Sequence, residues 1–203
     1  MSQEVQAVKA PQKVNRRESI LQSLTTMLEN SPGKPITTAR LAAEVGVSEA
    51  ALYRHFPSKA RMFEALIDYL EDIVLGGINR ILEHEKDSAE RIRLSVRLLL
   101  DFATTSPGLA RIYTGDALSG EHERLRARVV NITDKVEAQF KQMLRERKLR
   151  EGFQGSVDEG VLANWVLAFV EGKIVQFVRS GFIRKPSDHF DLQWSLIEQQ
   201  LKK

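Results

Sequence analysis

The sequence predicts an all-α protein in two parts, a three-helix head and a larger helical body that shares the fourth helix with it. Three observations predict this. Apolar residues recur at three- and four-residue spacing through most of the chain. No stretch alternates as a half-buried strand would. Clusters of Gly, Pro and Ser cut the periodic pattern into segments of helical length. The 203 residues are enough for one large or two small domains with a real core.

Residues 1–14 lack periodicity and are expected to form a disordered basic arm. Ile20, Leu21, Leu24, Met27 and Leu28 then fall on one face of a helix that begins at about Arg17, with Asn15 as its N-cap. It must stop near Asn30, because Ser31-Pro32-Gly33-Lys34-Pro35 follows. A short helix runs from Thr37 to Val45 and ends at Gly46. Ser48 caps a third helix that closes at Phe56-Pro57, and Ser58 caps a long fourth one. Gly76-Gly77 lie inside that fourth helix, where each costs about 1 kcal/mol against alanine, so a bend or a close contact is expected there. Further helices are expected over about 88–105, up to about Leu118, over 121–150, over 158–180 and over 187–201. No apolar run approaches the roughly 18 residues of a membrane span. The N-terminus lacks the marks of a secretion signal, so a cytoplasmic location is expected.

Thr37–Phe56 carries the functional signal. Two short helices joined by a tight turn make a helix-turn-helix. Gly46 suits the turn, Ala42 permits close approach, and Leu41, Val45, Val47 and Leu52 plug the inner faces. The second helix then offers Ser48, Glu49, Ala50, Tyr53 and Arg54 to a major groove. Thr37 and Thr38 can offer hydroxyl and N–H groups to phosphate, and His55 can cap the helix or touch phosphate. Lys13, Arg16 and Arg17 can supply backbone contacts. Charge agrees: nine Lys/Arg against five acids give residues 1–62 a net +4, while the other 141 sum to −1. Two capped helices and a glycine turn also occur in helical bundles that bind no DNA.

The segment ITTARLAAEVGVSEAALYRHFPSKARMFEAL resembles the N-terminal domain of TetR-type regulators. Leu41-Ala42, Gly46-Val47-Ser48, Leu52-Tyr53, His55-Phe56 and Ser58-Lys59 stand in the places of that family's pattern. The resemblance implies a TetR-like fold and phosphate contacts by Tyr53 and Lys59. Segments such as PGLARIYTGDAL, MLRERKLREG, FVRSGF and FDLQWSLI extend it, over nearly the whole chain, to a nucleoid-occlusion branch of the family. That branch implies binding to palindromic chromosomal DNA, association with the nucleoid, and antagonism of polymerisation of the division GTPase FtsZ. The implied domains are 15–62 for DNA binding and 63–203 for dimerisation and partner binding.

In the body, Phe102, Ile112, Tyr113, Leu118, Trp165 and Phe169 either line a ligand cavity or fill a core. The first would suit a ligand-responsive repressor, the alternative function. The helix over 158–180 is apolar nearly all round, so it is either a central core helix or has a subunit interface as its second side. The expected homodimer interface is Leu162, Trp165, Phe169, Gly172, Ile174 and Phe177, with Trp194 and Ile197 from the last helix. Residues 64–90 carry a net −6, which reads as a solvated face or a partner surface. The resemblance places FtsZ binding near it, and Tyr69, Arg80, Arg91, Arg93, Leu94, Arg97 and Leu98 are the candidates. The basic run 141–150 reads as a solubilising face.

The absence of cysteine excludes disulfides, zinc–thiolate sites and cysteine nucleophiles. The four histidines show no metal-ligand spacing, and neither a P-loop nor GxGxxG occurs. No cofactor, metal or enzymatic activity is expected.

Overall fold

A computed structural model describes residues 15–31, 34–152 and 157–201. The expected arm over 1–14, with Lys13, lies outside the described residues, as do Pro32-Gly33. Among the described residues there are nine α-helices, one 3-10 turn and no strand: α1 (Arg16–Asn30), α2 (Thr38–Val45), α3 (Glu49–His55), α4 (Lys59–His84), α5 (Ser88–Thr105), α6 (Pro107–Tyr113), the turn Asp116–Leu118, α7 (Glu123–Arg150), α8 (Glu159–Arg179) and α9 (Phe190–Leu201).

The helix starts follow from local chemistry. Asn15, Thr37, Ser48, Ser58, Asp87 and Asp158 each sit at an N-cap, with a side-chain oxygen accepting from a backbone N–H of the first turn. Gly46 closes α2 at φ +73° and ψ +39°, a left-handed conformation that a β-carbon would disfavour. Two boundaries depart from the sequence expectation. The helix expected to reach Leu118 breaks at Thr114-Gly115, where Gly115 takes φ +74° and a 3-10 turn follows. The last helix begins at Phe190 rather than near Ser187, because His189 itself adopts φ +61°.

Head and body share one continuous core. Ile20, Leu24, Leu41, Leu52 and Phe56 fill the head. Phe63 and Leu66 on α4 carry the core into the body, where Leu99, Ile132, Phe140, Val166 and Ile174 continue it. The body also grips the head directly. Arg111 on α6, almost wholly buried, donates to the Leu28 carbonyl at the end of α1 (2.5 Å) and pairs with Asp116 (2.5 Å). Gly108 lets α6 lie against α1, where an added β-carbon would collide with the Thr25 carbonyl oxygen. The expected feature at Gly77 is a close contact: a β-carbon there would lie 2.5 Å from Leu98 Cδ2.

Helix α8 corrects two expectations. It has the length and apolar content to cross a bilayer, contrary to the sequence estimate. It is nonetheless a core helix, packed on α5, α6 and α7 through Leu162, Val166, Leu167, Val170, Ile174 and Phe177. The expected subunit interface is also largely turned inward. Leu162, Ile174, Phe177, Trp194 and Ile197 are buried within the protomer, since one apolar stripe of each helix is needed to complete its own core. The stripe left outside is Val161 (60% exposed), Trp165 (43%) and Gly172 on α8, with Leu192 (72%) and Leu196 (63%) on α9. Phe169 is half-buried beside it.

Candidate nucleic-acid interface

The head presents one polar face built on α2 and α3. The inner sides of both helices are held by buried Leu41, Ala42, Leu52 and Phe56. The turn is fixed by Val47 N–H donating to the Ala42 carbonyl (2.9 Å). Ser48 Oγ accepts from Ala51 N–H (3.2 Å), which orients α3 from its first residue. Thr37, Ser48, Glu49, Ala50, Tyr53, Arg54 and His55 are all exposed, and Thr38 is half-buried. The outward stripe of α3 and the N-terminus of α2 therefore lie on one surface, as a groove-reading helix and its phosphate-binding neighbour require.

The two helices are tied across that surface by hydroxyl groups. Thr38 Oγ1 donates to Glu49 Oε2 at 2.7 Å, and the Tyr53 hydroxyl lies 3.4 Å from the same Thr38 oxygen. Arg16 is exposed at the start of α1. Arg17 stacks over the Phe56 ring, 4.3 Å from its centre, and reaches the His55 carbonyl at 3.5 Å. It thus braces the end of α3 while its face stays open to solvent. Lys59 lies at the junction of head and body. It is half-buried, ion-paired with Glu121 of the body and set over Phe63, so it joins head to body.

Sequence reasoning missed Arg40, Arg111 and Glu121. Arg40 donates to the Pro35 carbonyl (3.2 Å) and Ser31 Oγ (3.4 Å), and so secures the loop before α2. Their partners lie 5 to 83 residues away, and no local pattern marks them.

The expected partner residues are dispersed in role. Tyr69 and Arg80 are exposed on α4. Arg91 is a brace: it pairs with Glu146 (2.8 Å) and donates to the carbonyls of Leu82 and Glu85 at the end of α4. Arg93 makes a two-pronged pair with Glu90, which together with that charge holds its guanidinium above its ordinary pKa. Arg97 pairs with Asp101 and lies over Phe190, while Leu94 and Leu98 are half-buried.

Of the residues expected to line a cavity or fill a core, Phe102, Ile112 and Leu118 are core. Tyr113 is buried but borders a cleft of about 390 Å³ with Arg126, Val130, Thr133, Glu171 and Val175. Among the described residues its hydroxyl has no hydrogen-bond partner, and burial together with the nearby Glu171 charge raises its pKa. Burial, then the charge of Glu137, raises that of Glu171.

Residues 34–66 match the family model of bacterial regulatory proteins of the tetR family. Residues 86–202, more than half the chain, match the tetracyclin repressor-like C-terminal domain of the SlmA-like type. The chain belongs to the TetR family. Its curated relatives in that family include the nucleoid occlusion factor SlmA of Shewanella sediminis, 60% identical over 93% of this chain and 96% of that protein. The SlmA of Shewanella loihica is 60% identical over 95% and 98%. The TetR-family fold is seen again in the MbdR regulator from Azoarcus sp. CIB (TM-score 0.77, 16% identity, 90% and 96% covered). It recurs in the ketosteroid regulator KstR2 of Mycobacterium tuberculosis (TM-score 0.76, 16% identity, 96% and 98% covered).

Proposed function

We propose that this protein is a sequence-specific DNA-binding nucleoid occlusion factor. Bound to palindromic chromosomal sites, it antagonises FtsZ polymerisation and blocks septum assembly over the nucleoid. The observation that carries this reading is the 60% identity to nucleoid occlusion factors along almost the whole chain, body included. It is a cytoplasmic, DNA-associated protein, and residence at the nucleoid is part of the proposal.

In this reading residues 15–62 are the DNA-binding unit. Ser48, Glu49, Ala50 and Arg54 face the major groove, and Thr37, Thr38, Tyr53, His55, Lys59, Arg16 and Arg17 lie toward phosphate. Residues 63–203 form the dimerisation and partner-binding unit. Two copies join through the exposed stripe of Val161, Trp165, Gly172, Leu192 and Leu196, and two heads then read two half-sites about 34 Å apart. The FtsZ surface lies on α4 and α5, around Tyr69, Arg80 and Arg97.

Sedimentation of GTP-assembled FtsZ with this protein, with and without a palindromic duplex selected from genomic DNA, tests the reading. The expected result is a loss of pelleted polymer that requires the duplex and disappears with Tyr53→Ala. Unchanged polymer despite tight DNA binding would redirect attention to the body cleft and a small-molecule effector.

A further inference from the structure

Resting on the DNA-binding reading above, we infer that Glu49 determines sequence specificity. Its carboxylate accepts from the N4 amine of a cytosine in each half-site, and it weakens binding to sequences with no amine at that position.

The argument begins with hydrogen atoms. An ionised carboxylate only accepts, and a hydroxyl has one hydrogen to give. At 2.7 Å, Thr38 gives its hydrogen to Glu49. Tyr53, 3.4 Å from the same threonine oxygen, can only be the donor to it. The Tyr53 and Thr38 hydroxyls, two of those the head can offer to a phosphate, therefore form a chain that ends on one internal anion. Among the described residues, no ion pair with a lysine or arginine neutralises Glu49. The carboxylate holds the place of a phosphate in the free protein.

Docking on DNA breaks this arrangement. Thr38 and Tyr53 turn to the backbone, and Glu49, at the first position of the reading helix, loses its donor beside a row of phosphates. A lost hydrogen bond to a charged group and repulsion from like charges both oppose binding. The edge of a base can supply the missing donor. In the major groove the donors are the cytosine N4 and adenine N6 amines. Adenine sets its N7 acceptor beside its amine, which repels a carboxylate. Cytosine has no such acceptor, so it is the base that Glu49 selects.

Full-length protein, Glu49→Gln and Glu49→Ala are titrated against three kinds of duplex at one fixed salt concentration. These are the selected palindrome, variants with one base pair changed symmetrically in both half-sites, and a scrambled sequence of equal length. The wild type is expected to prefer cytosine at one half-site position by about tenfold. Glu49→Gln should move that preference toward adenine, which a carboxamide can pair through both N6 and N7. Glu49→Ala should abolish it. Both variants should bind the scrambled duplex at least about threefold more tightly, because a repelling charge is gone. Unchanged preferences at every position would overturn the inference. So would a parallel loss of affinity for all duplexes with an unchanged melting curve, which marks a role in positioning Thr38 and Tyr53 without reading a base. A wild type that binds the palindrome no better than the scrambled duplex would instead overturn the DNA-reading function itself.

Discussion

Glu171 and Tyr113 border the same body cleft, and burial acts on both in the same direction, against the charged form. For Glu171 this has a definite pH consequence. The folded state holds the carboxyl proton to higher pH than the unfolded chain does. Its ionisation therefore removes stability as pH rises from the ordinary carboxylate range through the raised folded value. Glu171→Gln is expected to melt at a higher temperature than the wild type at pH 7–8. The gain should vanish below about pH 4, where both states of the wild type are protonated. Melting curves across pH check this, and a pH-independent difference would contradict it. Tyr113→Phe removes a buried hydroxyl without a partner and should leave stability unchanged or raise it by about 1 kcal/mol. At this scale the sequence was legible where chemistry is local. Asn15, Ser48 and Ser58 cap helices because a short polar side chain reaches the next turn. Lys59 was not legible, because its partner Glu121 is 62 residues away.

Between elements, the contact of α1 with α6 sets the head on the body. Arg111 is nearly buried and donates to the Leu28 carbonyl in the last turn of α1, so its loss leaves that backbone oxygen without this donor. Arg111→Met should cost about 3 kcal/mol in chemical denaturation, the range for breaking a buried charge contact. Gly108→Ala should cost about 1–3 kcal/mol, since the obstacle is backbone. Gly77→Ala should cost less, because the Leu98 side chain it meets can turn aside. Helix existence and most boundaries followed from apolar spacing and breaker residues. The start of α9 did not, because Ser187-Asp188-His189 reads as a good first turn while His189 takes a left-handed backbone conformation.

At the scale of the whole molecule, the two tryptophans separate folding from assembly. Trp194 is 4% exposed, and Trp165 sits in the outward apolar stripe. Trp165→Glu is expected to give a folded monomer with weakened affinity for a palindrome, seen by sedimentation velocity and duplex titration. Trp194→Glu should instead lower the melting temperature sharply, since it buries a charge without a partner. A Trp165→Glu protein that stays dimeric would move the interface elsewhere. The sequence showed that the helix over 158–180 is apolar nearly all round, which fitted either a core helix or one with a subunit interface as its second side. It did not show which stripe points inward, because both are apolar and only packing against α5 and α7 decides.

The 26 residues of α4 form one unbroken rod from the head at Lys59 to the acidic end of the body at His84. At 1.5 Å per residue the rod is about 39 Å long. A tilt of about 5° about its far end carries the near end through roughly 3 Å, the rise of two residues. Leu98 of α5 lies against this rod at Gly77, toward its far end, and the head is joined both to its other end and to α6 through Arg111. In the proposed reading, a partner seated on α4 and α5 would act through this lever on the head. Two heads clamped on DNA would hold both rods still and so fix the slope that the proposed partner meets.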